Sequence, residues 1–388
     1  MQNSRTHSIV LYGATGFTGK LVAEVLARRG AQNWAMAGRN LEKLAAVRDE
    51  LGLPADFPLI QADAADPASL DRLCQSAQIV VTTVGPYQKY GSELVAACAA
   101  SGTDYIDLNG EPVWMKQMIE AHAAQAEASG ARILFSGGFD SIPSDLGVWF
   151  LQKAAREKFG APVPRIRGRV RKIKGDASGG TMASMKATLK ATIKDPASLA
   201  ALNDAFALTP GFRGPEQPSG LTPAYNAEAG LWEAPFVMAA INTKNVHRTN
   251  FLLGHIYGED FVYDEMLYTT LQDAALAVGD VAKKVATMML GGQSHKTGEG
   301  PSKAEREAGH YDIVFLGSFP DGRTLTASVQ GDADPGYGST SKMMAEAALC
   351  LAALPREKGG CFTPAALLGD ALIAALQQHA GLTFQIET

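Results

Sequence analysis

Three glycines spaced three residues apart, Gly13, Gly16 and Gly19, separate the apolar run Ile9-Val10-Leu11-Tyr12 from an amphipathic stretch carrying Leu21, Val22, Val25 and Leu26. A strand that turns on glycine into a helix builds a site for a dinucleotide pyrophosphate. Gly13 allows the tight turn, Gly16 lets the backbone approach the phosphates, and Gly19 lets the helix pack close to the strand. Thr15 lies within the turn. The free N–H groups around Phe17, Thr18 and Gly19 then face the anion, with the positive end of the helix dipole behind them. The spacing is G-x-x-G-x-x-G, a variant of G-x-G-x-x-G that the same backbone logic tolerates.

The next apolar run, Trp34-Ala35-Met36-Ala37-Gly38, ends about 20 residues after the last glycine, where a site for NAD carries Asp or Glu. This chain places Arg39 there, followed by Asn40 and, one helical turn on, Lys43. A guanidinium binds a 2′-phosphate with two parallel hydrogen bonds, whereas a carboxylate repels it. The pattern therefore selects NADP(H). Asp63, closing Leu59-Ile60-Gln61-Ala62-Asp63, falls where an adenine-side contact lies. Val84-Gly85-Pro86 follows the apolar run Ile79-Val80-Val81 and should line the nicotinamide side of the cleft.

Hydride transfer asks the protein for orientation, a dry pocket and a proton donor. Tyr87, Tyr337 and Lys342 are suitable types in suitable segments, the first at the cleft and the others in a glycine-bracketed loop leading into a helix. Asp140 and Asp145 flank Pro143 at a helix start, where an aspartate serves as cap or dipole partner; acid–base work by Asp140 is the second reading. Asp107 and Glu111 should order a loop between sheet and insert. His247 beside Arg248 could meet a phosphate or carboxylate, or lie at the surface. No metal-ligand spacing and no nucleophile elbow occurs.

These residues need a scaffold. The first ~150 residues alternate strand and helix in the rhythm of an α/β, Rossmann-type doubly wound parallel sheet. Strands are expected at 8–13, 33–38, 58–62, 78–84, 104–108 and 132–136. Residues 165–174 alternate basic and other types, like an antiparallel strand with one solvated face bearing Arg165, Arg167, Arg169 and Arg171. A helix over 181–194 would put Met182, Met185, Leu189 and Ile193 on one side. Its Lys186, Lys190 and Lys194 would form a cationic stripe, either a solvated face or a dock for an acidic carrier protein. The Pro- and Gly-rich stretch 209–235 reads as a lid or a disordered excursion. The polar stretch 291–309 reads as mobile. A hairpin is expected over 312–330 around Pro320-Asp321-Gly322, then helices at 341–354 and 363–379 and a strand at 382–386.

The net charge of −5 and the absence of a basic stripe interleaved with aromatics argue against a nucleic-acid partner. Four scattered cysteines fit reduced thiols. The polar N-terminus lacks a signal-peptide core, and no uncharged apolar run reaches the ~18 residues of a membrane span; the stretch 271–290 is broken by Asp273, Asp280, Lys283 and Lys284. A cytoplasmic protein is expected.

The chain resembles the saccharopine dehydrogenase-like oxidoreductases, nearest the bacterial trans-acting enoyl reductase branch. The likeness rests on Gly13-Ala14-Thr15-Gly16-Phe17-Thr18-Gly19, Ala37-Gly38-Arg39, Val84-Gly85-Pro86-Tyr87, Tyr105-Ile106-Asp107-Leu108-Asn109-Gly110-Glu111 and above all Gly138-Phe139-Asp140-Ser141-Ile142-Pro143-Ser144-Asp145-Leu146-Gly147. Gly298-Glu299-Gly300-Pro301-Ser302 and Pro335-Gly336-Tyr337-Gly338 add to it. The resemblance implies an NADP-binding Rossmann domain over 1–152, an inserted α/β (α+β) substrate or oligomerisation domain over 153–331, and C-terminal helices and a strand over 332–388 that pack back on the first domain. It implies an NADPH-dependent reductase acting on a C=C bond of an acyl or polyketide intermediate, carrier-protein bound in one version, and a possible homodimer. Two alternatives stand beside it: a dehydrogenase of an amino-acid C–N bond, and a non-catalytic NADP-binding scaffold or sensor.

Overall fold

The computed structural model describes residues 5–175, 179, 183–184, 186–188, 195–273 and 300–387. The N-terminal part runs β1 (His7–Tyr12), α1 (Phe17–Arg28), β2 (Trp34–Gly38), α2 (Leu41–Glu50), β3 (Leu59–Gln61), α3 (Pro67–Ser76) and β4 (Ala77–Thr82). It continues with α4 (Tyr87–Tyr90), α5 (Ser92–Ser101), β5 (Asp104–Ile106), α6 (Pro112–Ser129), β6 (Arg132–Leu134) and α7 (Ile142–Phe159). Strands β1, β2 and β4 are almost wholly buried. Continuous apolar runs of this kind belong to a parallel sheet covered by helices on both faces.

That sheet forms with the order β3-β2-β1-β4-β5-β6, every pairing parallel, and ends on a seventh strand, β13 (Gly360–Phe362), beside β6. The chain leaves β1 in one direction through β2 and β3 and returns on its other side at β4. The crevice at this switch point, outside the carboxyl ends of the strands, is where such folds bind ligands. The seventh strand is three residues long and has no pattern that marks it in the sequence.

The second sheet is built from β7 (Arg165–Lys174), β8 (Ala224–Asn226), β9 (Leu231–Pro235), β10 (Val262–Thr269), β11 (His310–Ser318), β12 (Thr324–Gly331) and β14 (Leu382–Glu387). Its order is β14-β12-β11-β7-β10-β9-β8, with β7 and β10 parallel and the other pairs antiparallel. The hairpin β11–β12 turns at Pro320-Asp321-Gly322 as expected, with Ser318 opposite Thr324. Helices α8 (Pro196–Asn203), α9 (Ala239–Leu252), α10 (Lys303–Glu307), α11 (Thr340–Ala353), α12 (Pro364–Leu367) and α13 (Gly369–His379) complete the described elements.

Several expectations need correcting. The stretch 209–235 ends in the hairpin β8–β9 rather than a structureless excursion. The helix expected over 363–379 breaks at Gly369, whose φ of +43° suits glycine. The C-terminal part does return to the first domain, with Glu346 of α11 accepting from Arg29 after α1 and Phe384 packed edge-on against Phe150 of α7, while the terminal strand itself pairs with β12 of the second sheet. The arginine face of β7 is not simply solvated. Arg169 is buried between Glu233 and Asp264, each at 2.8 Å, Arg165 also pairs with Asp264, and Arg171 bridges Asp312 and Glu387 at 2.8 and 2.6 Å. Neighbouring strands supply the carboxylates that let those cations approach one another. Met182, Met185, Leu189, Ile193, Lys190, Lys194 and the stretch 274–299 lie outside the described residues. No helix among the described residues is long and apolar enough to cross a membrane.

Candidate active site

The glycine turn has the geometry that its spacing requires. Gly13 adopts φ +91°, and a Cβ there would come within 2.8 Å of Thr83 Oγ1 and Val84 Cγ2. A Cβ on Gly19 would meet the Gly13 carbonyl oxygen at 2.1 Å, so only glycine lets α1 sit this close to the end of β1. Gly16 caps α1 in an extended conformation with no side-chain cap, and the first helical turn carries no acidic residue. The amide hydrogens of Phe17, Thr18 and Gly19 therefore lack intrahelical partners and lie beside Thr15 where an anion can reach them. Phe17 packs edge-on against Tyr337 at 4.9 Å, and the Arg306 guanidinium lies 5.5 Å from the centre of the same ring. Nothing in the chain's pattern marks Arg306 for this place, because its partner ring is almost 290 residues away.

Arg39 follows β2 at the carboxyl edge of the sheet and is exposed, and its guanidinium has no hydrogen-bond or ionic partner among the described residues. Asn40 caps α2, its side chain accepting from the Lys43 N–H at 2.9 Å. That leaves the Lys43 ammonium exposed on the same turn. Asp63 accepts from the Ala65 N–H at 3.0 Å and so folds the loop after β3. The turn after β2 thus carries two cations, Arg39 and Lys43, with no hydrogen-bond or ionic partner among the described residues. The one carboxylate there, Glu42, stands on the first turn of α2 rather than at the end of the strand, an arrangement that fits a 2′-phosphate.

Across the switch point, Val84, Gly85 and Pro86 follow β4, with a cis Gly85–Pro86 peptide. Tyr87 is buried and its hydroxyl is committed: it donates to the Thr82 carbonyl at 3.1 Å and accepts from the Leu108 N–H at 3.3 Å. Burial, with Asp107 nearby, holds its pKa well above the usual tyrosine value. The candidate proton donor at this position is therefore corrected to a structural pin. Glu111 accepts from the Tyr87 and Gln88 N–H groups at 2.8 and 2.9 Å, capping α4. Asp107 gathers Tyr105, Asn109 and Ser136, and burial raises its pKa to about 6 despite those bonds.

Asp140 behaves differently. It sits in the loop after β6, with its carboxyl over Gly110 beside Met238, and has no hydrogen-bond or ionic partner among the described residues. Burial, and then repulsion from Asp107, raises its pKa to about 7. Asp145 also reaches about 7 through burial, but it accepts from Thr249 at 2.6 Å and the Ala365 N–H at 2.8 Å, as a structural clamp does. Lys342 points away from the cleft to Asp332, at 3.0 Å. Tyr337 is buried in a π-helical turn, Pro335–Ser339, whose amides bond the Asp334 carboxylate; its hydroxyl accepts from the Gly179 N–H at 2.8 Å. The surface reading of His247 and Arg248 also fails. Burial lowers the His247 pKa to about 3, and Arg248 donates to the Leu208 and Cys361 carbonyls. The strained Ser141 and its partner Asn245 were not legible in the sequence, since neither residue type marks a conformation.

Fold and site together define an oxidoreductase of the two-sheet Rossmann class that holds a nicotinamide dinucleotide at the switch point. Residues 9–134 match the saccharopine dehydrogenase NADP-binding domain family. A Mycobacterium tuberculosis protein with a provisional trans-acting enoyl reductase name is 42% identical over 98% of this chain and 97% of its own length. The trans-acting enoyl reductase of Mycobacterium ulcerans is 37% identical over 96% of each chain. Apo saccharopine dehydrogenase (L-Glu forming) of Saccharomyces cerevisiae shares the fold, with a TM-score of 0.56 and 12% identity over 98% of this chain and all of that one. The chain belongs to the trans-acting enoyl reductase group of the saccharopine dehydrogenase-like oxidoreductases. It is an NADP-dependent oxidoreductase, which sets aside the non-catalytic scaffold.

Proposed function

We propose that this protein reduces the α,β double bond of an acyl or polyketide thioester carried by an acidic carrier protein. Near-full-length identity to proteins named as trans-acting enoyl reductases supports the reaction class. The observation that carries the chemistry is Asp140, a carboxyl at the carboxyl edge of the first sheet that has no partner among the described residues and whose pKa burial raises to about 7.

Bound NADPH supplies hydride to the β-carbon. Gly13, Thr15, Gly16 and the amides of Phe17, Thr18 and Gly19 hold the pyrophosphate. Arg39 and Lys43 neutralise the 2′-phosphate, Asn40 shapes the helix start between them, and Asp63 borders the adenine. Val84, Gly85 and Pro86 line the nicotinamide side. As the β-carbon gains hydride, negative charge moves through the α-carbon to the thioester oxygen. Asp140 donates its proton to the α-carbon and is reprotonated from solvent, which balances the addition of one hydride and one proton. Tyr337 fixes Phe17 and so the first turn of α1, outside the proton path.

The C–N dehydrogenase reading asks for cations that clamp substrate carboxylates. The arginines of β7 that would serve are already paired with Asp264, Glu233, Asp312, Glu387 and Glu228, which favours the enoyl reading. The test is NADPH oxidation by purified protein with an α,β-unsaturated acyl thioester, free and on a carrier protein, beside a keto acid with an amino acid. Turnover of the thioester alone is expected; turnover of the amino-acid pair alone overturns the proposal.

A further inference from the structure

One face of α9 grips the start of α7. Asn242 donates to Ser144 Oγ at 3.0 Å, Asn245 donates to Ser141 Oγ at 2.9 Å, and Thr249 donates to Asp145 Oδ1 at 2.6 Å. The three donors are spaced three and four residues apart, the spacing that puts helical side chains in one row. Their three acceptors occupy the cap and first turn of α7. The middle bond is the unusual one. Ser141 is buried at φ +133° and ψ −27°, a region that side-chain-bearing residues seldom occupy unless their surroundings hold them there. Its N–H turns back to the Phe139 carbonyl at 2.7 Å, and its carbonyl accepts the Asp145 N–H at 2.8 Å.

Asp140 is the residue immediately before this strained serine. Among the described residues its carboxyl has no bond of its own to aim it, so the backbone at 140–141 sets its direction. We infer that Asn245, from the helix that flanks the second sheet, is a positioning residue: by holding Ser141 in its strained conformation it points the Asp140 carboxyl into the cleft. The inference rests on the assignment of Asp140 as proton donor. It also explains why an amide side chain stands fully buried on α9 with its Oδ1 unpartnered among the described residues. One well-placed donor is retained at the expense of an idle acceptor.

The test is a cycle of Asn245→Ala, Asp140→Asn and the double variant in the full chain. Asn245→Ala should lower kcat for an enoyl thioester by roughly 100-fold, the scale of an ångström's misplacement, while NADPH affinity stays unchanged. In the Asp140→Asn background the same substitution should cost nothing further, because the group it aims is gone. An equal loss in both backgrounds, or no loss, overturns the inference. Ser141→Ala removes the same bond from the other side with less disturbance, and is expected to reproduce the pattern if Asn245→Ala does not fold. A readout independent of turnover separates this idea from the proposed reaction. Carbon NMR of the Asp140 carboxyl should show its titration falling toward the ordinary aspartate range in Asn245→Ala as the group swings to water. An unmoved titration overturns the positioning role even if no enoyl thioester proves to be a substrate.

Discussion

Phe17 and Tyr337 meet edge to face, with ring centroids 4.9 Å apart and planes at 78°. Phe17 opens the helix whose first amides are proposed to face the dinucleotide phosphates, whereas Tyr337 sits in the turn after β12, more than 300 residues on. Asp334 fixes that turn through the Tyr337 and Gly338 N–H groups, and Arg306 lies against the Phe17 ring as well. The start of α1 is therefore packed against segments on either side of the β11–β12 hairpin of the second sheet. An aromatic pair of this kind contributes about 0.5–1.5 kcal/mol beyond its buried area. Phe17→Ala should weaken NADPH binding by roughly 2- to 12-fold if that energy orders the first turn. Tyr337→Phe, which keeps the ring, should leave affinity near that of the parent. Calorimetric titration with NADPH checks both, and equal affinities for parent and Phe17→Ala would refute the coupling.

The proposed role of Arg39 is to decide between the two nicotinamide cofactors. Its guanidinium is exposed and unpaired among the described residues, so binding a phosphate costs it no existing bond. Charge-assisted hydrogen bonds contribute about 1.5–3 kcal/mol each, which corresponds to at least a tenfold preference. Arg39→Asp should weaken NADPH by that factor or more and leave NADH affinity nearly unchanged. Comparable dissociation constants for the two cofactors in the unmutated protein would contradict the assignment.

Arg169 and Arg171 lie two residues apart on β7 yet should respond differently to truncation. Arg169 is buried between two carboxylates, and Arg171 is partly open to solvent between two others. Arg169→Met removes the cation shared by Glu233 and Asp264 and leaves them only Asn226 and Arg165, a loss of up to about 3–5 kcal/mol, the scale of breaking a buried pair. Arg171→Met should cost about 1 kcal/mol, as exposed pairs do. Denaturant unfolding gives both values, and similar losses would mean that the Arg169 site is wetter than its burial indicates.

The unequal pair shows where sequence reading ends. The first sheet was legible because strands buried on both faces read as unbroken apolar runs, such as Ile79-Val80-Val81, punctuated by glycine turns. The glycine roles at 13 and 19 were legible because the backbone geometry depends on those residues alone. The face of β7 was misread because its partners, Glu233, Asp264, Asp312 and Glu387, lie 64 to 216 residues away, and alternation cannot reveal what pairs with it. The same limit applies to the proton donor. Residue type admitted Tyr87, Lys342 and Tyr337 as donors and gave Asp140 a capping role first, acid–base work second. Only the placement of Thr82, Leu108 and Asp332 shows that the first two side chains are already engaged.

The proton-donor role proposed for Asp140 carries a pH dependence of definite sign. Burial first, and Asp107 second, raise its pKa to about 7, so the carboxyl is protonated on the acid side of neutrality and ionised above it. A general acid works only in its protonated form, so kcat should be level at low pH and fall about tenfold per unit above the midpoint. Asp140→Asn should remove that limb and lower the plateau by about 10²- to 10⁴-fold, the usual contribution of a positioned proton donor. Asp145 provides the control, because its pKa is raised to a similar value but its oxygens are tied to Thr249 and Ala365. Asp145→Asn should lower the melting temperature and leave the alkaline limb in place. Rates with an enoyl thioester across the neutral range distinguish the two aspartates. A limb that survives Asp140→Asn and vanishes with Asp145→Asn would transfer the proton to the clamp.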